Sequence, residues 1–160
     1  MDPLSVAASA ITVASLAASI CCAFADLRSL CKSLPGRLHA LNNEVADLEV
    51  VLIQVATVFR ERAYSIPEKQ QGAIPRLLQR ASGKLTELED TIIQLSKRCD
   101  RTKVFILQAH TWRKEQPKLR ELQDHIKTIK CSLNIVLGAS NSYSSLFSSL
   151  LHPPPRPPQG

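Results

Sequence analysis

The side chains in this sequence whose chemistry could reach beyond packing are four histidines, five cysteines and the acid pair Glu89 and Asp90. His39, His110, His125 and His152 stand apart, and none has a second ligand of metal-site character three or four residues away. Cys21, Cys22, Cys31, Cys99 and Cys131 form an odd, scattered set without C-x-x-C spacing, which reads as reduced cytosolic core thiols. Cys21 and Cys22 are open to acylation if the segment around them lies at a membrane, and buried small residues are the competing reading. Cysteine–histidine catalysis would need a pairing made by the fold, because most of the cysteines lie on apolar stripes. Glu89 and Asp90 read as a solvated helix face rather than a general acid–base pair. Gly83 and Lys84 are followed by Leu85 inside a helical pattern, so no phosphate-cradling loop is present. These residues predict neither an enzyme nor a cofactor or metal site.

The elements that would position any other function begin with the first stretch. From Pro3 to Ala25 there are twenty-three uncharged residues, held between Asp2 and Asp26. Asp2 and Pro3 make a helix start, with a carboxylate at the cap and a proline where its missing N–H does no harm. Ser5, Ser9, Thr12, Ser15 and Ser19 fall on one arc of about 120° and can bond back to the helix's own carbonyls. Ala10, Ala14 and Ala18 form a small-residue row that predicts close helix packing. The length suffices to span a bilayer. Only Leu4, Val6, Ile11, Val13, Leu16, Ile20 and Phe24 are strongly apolar, however, worth roughly −2 to −4 kcal/mol together on an insertion scale. Insertion is therefore marginal, and these seven residues are expected to face a membrane or a partner conditionally. Asp2 in place of a basic region, and hydroxyls spread through the segment, argue against a secretory signal.

The remaining chain reads as charged, amphipathic helix. The first helix, residues 3–25, extends to about 34, where Pro35 and Gly36 end it. A second, about 36–62, carries Leu38, Leu41, Val45, Leu48, Val51, Leu52, Val55 and Phe59 on one stripe. Tyr64 to Ala73 reads as a loop, because it contains Pro67 and Gly72. Pro75 then opens a third helix, about 75–113, with Leu77, Leu78, Ala81, Leu85, Leu88, Ile92, Leu95 and Cys99 in period. Pro117 starts the last helix, about 118–138, and Gly138 to Ser149 reads as a Ser-rich, frayed extension. Residues 151–160 form a proline-rich tail suited to polyproline II, a disordered end or a ligand for a domain that reads such segments. Scarce aromatics, at seven in 160 residues, favour helix packing over a β sandwich or barrel.

The net charge of +6 resides in Lys97 to Lys130, with ten basic residues against four acids, while the rest of the chain is neutral. Lys97, Arg98, Arg101, Lys103, Arg113 and Lys114 are the candidate contacts to an anionic surface, at roughly 1 kcal/mol each when held close to one. A solvated helix face is the alternative. Acids interrupt the basic run, Trp112 is the only aromatic close among them, and no recognised stacking or helix-turn-helix motif appears, so nucleic acid is not the expected partner.

The opening MDPLSVAASAITVASLAASI, the segment LPGRLHALNNEVADLEVVL and the segment HTWRKEQPKLRELQDHIKTIKCSLNIVLG resemble the fungal N-terminal domain of STAND proteins, a HeLo-like helical domain. That family is also named after a protein encoded in azaphilone pigment biosynthesis clusters. The resemblance runs from Met1 to about Gly138, and its most specific parts are the Met-Asp-Pro-Leu-Ser start and the Glu44-Val45-x-x-Leu48-x-x-Val51-Leu52 block. It implies an all-helical bundle that precedes nucleotide-binding and repeat modules in fungal immune-like receptors. Relatives in the wider group act in cell death and heterokaryon incompatibility, where release of the N-terminal helix targets the membrane; the matching residues here are Leu4 to Phe24. Within these 160 residues there is no nucleotide-binding module, repeat or amyloid-forming tail, which weakens the cell-death reading.

Together these features predict an all-α bundle of four to five helices over residues 1–150, followed by a disordered proline-rich tail. The expected function is a non-enzymatic signalling and interaction module, cytoplasmic and conditionally at a membrane. Its expected partners are proteins, a second copy among them, and anionic membrane lipid, with no nucleic acid and no metal. The alternative is a non-catalytic accessory protein of a fungal secondary-metabolite cluster of the azaphilone pigment type.

Overall fold

A computed structural model describes residues 2–30, 36–61, 68–101 and 105–151. These are helical almost throughout, as α1 (Pro3–Leu30), α2 (Gly36–Glu61), α3 (Glu68–Arg101) and α4 (Phe105–Leu151), with no strand among the described residues. The proline-rich tail expected at 151–160 lies outside them beyond Leu151.

The apolar stripes form a single core. All eight stripe residues expected on α2 are buried, together with Leu78, Ala81, Leu85, Leu88, Ile92, Leu95 and Cys99 of α3 and Leu119, Leu122, Ile126, Ile129, Leu133 and Leu137 of α4. At α1 the Asp2 carbonyl accepts the first helical bond, from the Val6 N–H at 3.2 Å, as expected of a residue at the cap.

The bounds of the last two helices differ from the sequence reading. Residues 68–73, expected in a loop, are the first turns of α3, so Pro75 lies inside that helix instead of opening it. Ile74 supplies the reason: it is buried to 1% exposure and extends the Leu78–Ala81–Leu85 stripe toward the N-terminus. The helix expected over 75–113 is likewise two helices. α3 ends at Arg101 and α4 starts at Phe105, which leaves Pro117 inside α4 rather than at its start. An interior proline costs about 3 kcal/mol through its lost hydrogen bond and ring clash. Trp112 on one side of it and Leu119 on the other are both buried, and that packing offsets the cost. The extension expected to fray after Gly138 continues as helix to Leu151.

Helix neighbours define the topology. α1 packs on α2 and α3, and α4 packs on the same two, while α1 with α4 and α2 with α3 lie across the diagonals. α1 and α3 run parallel, since Val6 to Val13 lie beside Pro75 to Gly83 and Ser19 beside Glu89. α2 and α4 are parallel by the same logic, with Arg37 near Gln116 to Asp124 and Glu44 near Lys127 and Lys130. α3 and α4 are antiparallel, as the Arg98–Glu115 pair shows. α1 thus occupies one corner of the bundle, between α2 and α3 and diagonal to α4.

Candidate functional site at the first helix

The seven strongly apolar candidates from Leu4 to Phe24 do not share one environment. Val6, Val13, Ile20 and Phe24 are buried in the core, and Leu16 is half-buried against it. Leu4 and Ile11 stand out at 63% and 47% exposure, on the face turned away from the core. The predicted membrane or partner helix is thus mainly a core helix, with two of its seven candidates presented outward.

The small-residue row also differs from the expected Ala10–Ala14–Ala18 spacing. Ala7, Ala10, Ala14 and Ala17 are buried and Ala18 is not, so the row follows three- and four-residue steps. A regular spacing of four drifts around a 3.6-residue helix, whereas alternating steps stay on the core. Two of the five hydroxyls bond back to their own helix as expected, and Ser19 instead finds a partner on α3. Thr12 and Ser15 donate to the carbonyls of Ala8 and Ile11 at 3.0 Å, and Ser19 reaches Glu89 on α3 at 3.4 Å. Glu89 is accordingly half-buried against α1, while Asp90 is exposed.

Beside this helix, the Cys21 thiol is pushed up by burial, then by the Glu49 carboxylate of α2 and by Cys22. It is held in its neutral, weakly nucleophilic form. Cys22 is exposed and Cys99 is a core residue, whereas Cys31 lies outside the described residues. Among the described residues no three of His, Cys, Asp and Glu cluster as metal ligands.

The basic candidates gather at one pole, where α1 and α3 end and α2 starts. Lys97, Arg113 and Lys114 are exposed there, and Arg98 pairs with Glu115 at 3.0 Å. The Arg101 side chain and Lys103 lie outside the described residues. Arg28 in the last turn of α1 and Arg37 in the first turn of α2 join this pole, although the sequence reading located positive charge only downstream of Lys97. Arg37 faces Gln116, Pro117 and Arg120 across a shallow depression of about 400 Å³.

Lys127 and Lys130, the last basic residues of the run, instead turn to α2. Lys130 donates to Glu44 at 2.7 Å and to Asp47 at 2.9 Å, with Lys127 at 3.8 Å from Glu44. Burial opposes the charge of Lys130, but its hydrogen bonds to Glu44 and Asp47 outweigh it and hold the ammonium above its ordinary range. Trp112, considered as a stacking aromatic, is a buried core residue at 6% exposure.

Leu4 and the basic pole lie at opposite ends of α1. Leu4 is twenty-three residues from Leu27, about 35 Å along the helix, and Leu27 lies close in register to Lys97. By length and composition α1 is a helix that could cross a membrane, a property it shares with core helices of soluble proteins. No protein family, curated protein or solved structure matches the chain.

Proposed function

We propose that the chain is a non-enzymatic helical signalling and interaction module of the kind found in the N-terminal effector domains of fungal STAND receptors. At rest α1 is held between α2 and α3 in the cytoplasm; on activation it leaves that corner and meets anionic membrane, with Lys97, Arg113 and Lys114 steering the approach. The observation that supports this reading is that α1, alone among the described helices, has the length and apolar composition of a membrane span. Arg28 and Arg37 add to the steering charge at the pole.

The burial of Val6, Val13, Ile20 and Phe24 favours a second reading. In it α1 is a permanent core element, and the chain is an accessory protein of a secondary-metabolite cluster, acting through protein contacts alone. One experiment separates the two. In a background free of native cysteines, Ser19→Cys and Glu89→Cys are joined by a short bis-maleimide, which fixes α1 to α3 where Ser19 and Glu89 already touch. The bridged and unbridged proteins are then sedimented with anionic and neutral liposomes. The release mechanism predicts binding of the unbridged protein to anionic liposomes, weakened by high salt and lost on bridging. Equal sedimentation of both forms contradicts release, and failure of both to sediment supports the accessory protein.

A further inference from the structure

We propose that the groove between the N-terminal half of α1 and α3 is a binding site for a free single-chain carboxylate amphiphile. The groove encloses about 680 Å³, within the range of small-molecule sites. Its floor is apolar, made by Val6 and Val13 of α1 and Leu78 of α3, all buried. Arg76 stands at its rim, and among the described residues no ion pair involves that guanidinium.

The opening exists because the helices present little bulk to each other here. Close-packed interfaces leave few voids larger than a water molecule, yet α1 contributes Ser9 and Thr12 to this one, and α3 contributes Gly83. Gly83 does not serve close helix approach, since a Cβ placed there would meet nothing within 4 Å. Its presence leaves room while costing helix stability.

The shape and charge select the occupant. Residues 75–83 of α3 span eight rises, about 12 Å, or little more than two turns. That is too short to seat a partner helix through anchors repeated over several turns. A nucleotide or polyanion would call for more cationic and backbone donors than one guanidinium supplies. A medium-chain acyl tail on the floor, with its carboxylate at Arg76, meets both the apolar surface and the single charge. The groove is accessible with α1 in its packed position, so occupancy does not depend on membrane release.

The test is calorimetric titration of the full chain with decanoate, held below its micelle concentration, beside decanol and decyltrimethylammonium. Saturable binding of decanoate is expected, at least tenfold tighter than that of the alcohol or the cation. Arg76→Gln should weaken decanoate at least tenfold and leave decanol unchanged. Gly83→Leu fills the groove and should abolish binding, with Gly83→Ala as the variant that keeps the room and the affinity. Helix content by circular dichroism verifies both folds, and Ser82→Leu is the second filling variant if Gly83→Leu misfolds. A flat decanoate titration overturns the proposal, as does undiminished binding by a folded groove-filling variant. A dimer that Gly83→Leu disrupts and decanoate does not displace overturns it in favour of a second copy as the occupant.

Discussion

Lys130 illustrates how a residue's role depends on a partner distant in sequence. Locally it is one more cation in a basic run; in the fold it is 18% exposed and bonded to Glu44, which is equally sheltered, and to Asp47, which is largely solvated. The exposed Asp47 contact adds little, so most of the value lies in the Glu44 bond. Lys130→Met should destabilise the protein by about 1–3 kcal/mol, the range for losing a charged hydrogen bond and stranding a partly buried acceptor. The folded pKa of Lys130 is raised. Its contribution is therefore complete below the ordinary lysine pKa and is lost as pH rises through the folded value. Urea unfolding at neutral pH and at strongly alkaline pH measures this: the gap between wild type and Lys130→Met should narrow on the alkaline side. A constant gap would mean that the loss does not depend on the charge of Lys130. Trp112 makes the same point, since its neighbours in sequence are charged while its contacts in the fold are apolar.

At the level of the element, the sequence shows stripes more clearly than ends. α2 was legible throughout because its eight large apolar residues repeat without interruption and all are buried. The starts of α3 and α4 were not, because Pro75 and Pro117 favour a first-turn position locally, while burial of Ile74 and Trp112 carries each helix past its proline. On α1 the periodicity was weak, and the buried face rests largely on Ala7, Ala10, Ala14 and Ala17. The outward candidates Leu4 and Ile11 were identified by composition, but their separation from buried Val6, Val13, Ile20 and Phe24 needed the neighbouring helices. The alanines imply tight backbone approach. Ala14→Leu should overpack the joint and cost about 1–3 kcal/mol, whereas Ser15→Leu, one position round on an exposed site, should stay within about 0.5 kcal/mol of wild type. Chemical denaturation of the two variants checks this, and equal stabilities would mean that α1 is loosely seated.

For the whole molecule, the distribution of large side chains along α1 decides how it could leave. Burying a large apolar side chain contributes about 1.5–3 kcal/mol, so Val6, Val13, Ile20, Phe24 and Leu27 together hold α1 by roughly 10 kcal/mol, an upper bound for an extended reference chain. That is comparable to the stability of an entire domain. Insertion would return only roughly 2–4 kcal/mol, so spontaneous release of the complete helix into a bilayer is unfavourable without a further source of free energy. The hold is uneven, however. Ile20, Phe24 and Leu27 anchor the C-terminal third beside the basic pole. The half from Val6 to Ala17 buries only two residues larger than alanine, and its joint with α3 opens into the groove. Opening should therefore begin at the N-terminus and stop near Ile20, exposing Leu4 to Ala17 while the pole stays assembled. Hydrogen exchange under native conditions reads this directly. Amides over residues 6–17 should exchange at a lower opening free energy than those over 20–27 and than the α2 core over 41–59, and decanoate should narrow that difference if it bridges α1 to α3. A single opening free energy shared by both halves of α1 and by α2 would make the bundle one cooperative unit. A released helix would then require a partner or lipid able to offset the unfolding of the whole domain.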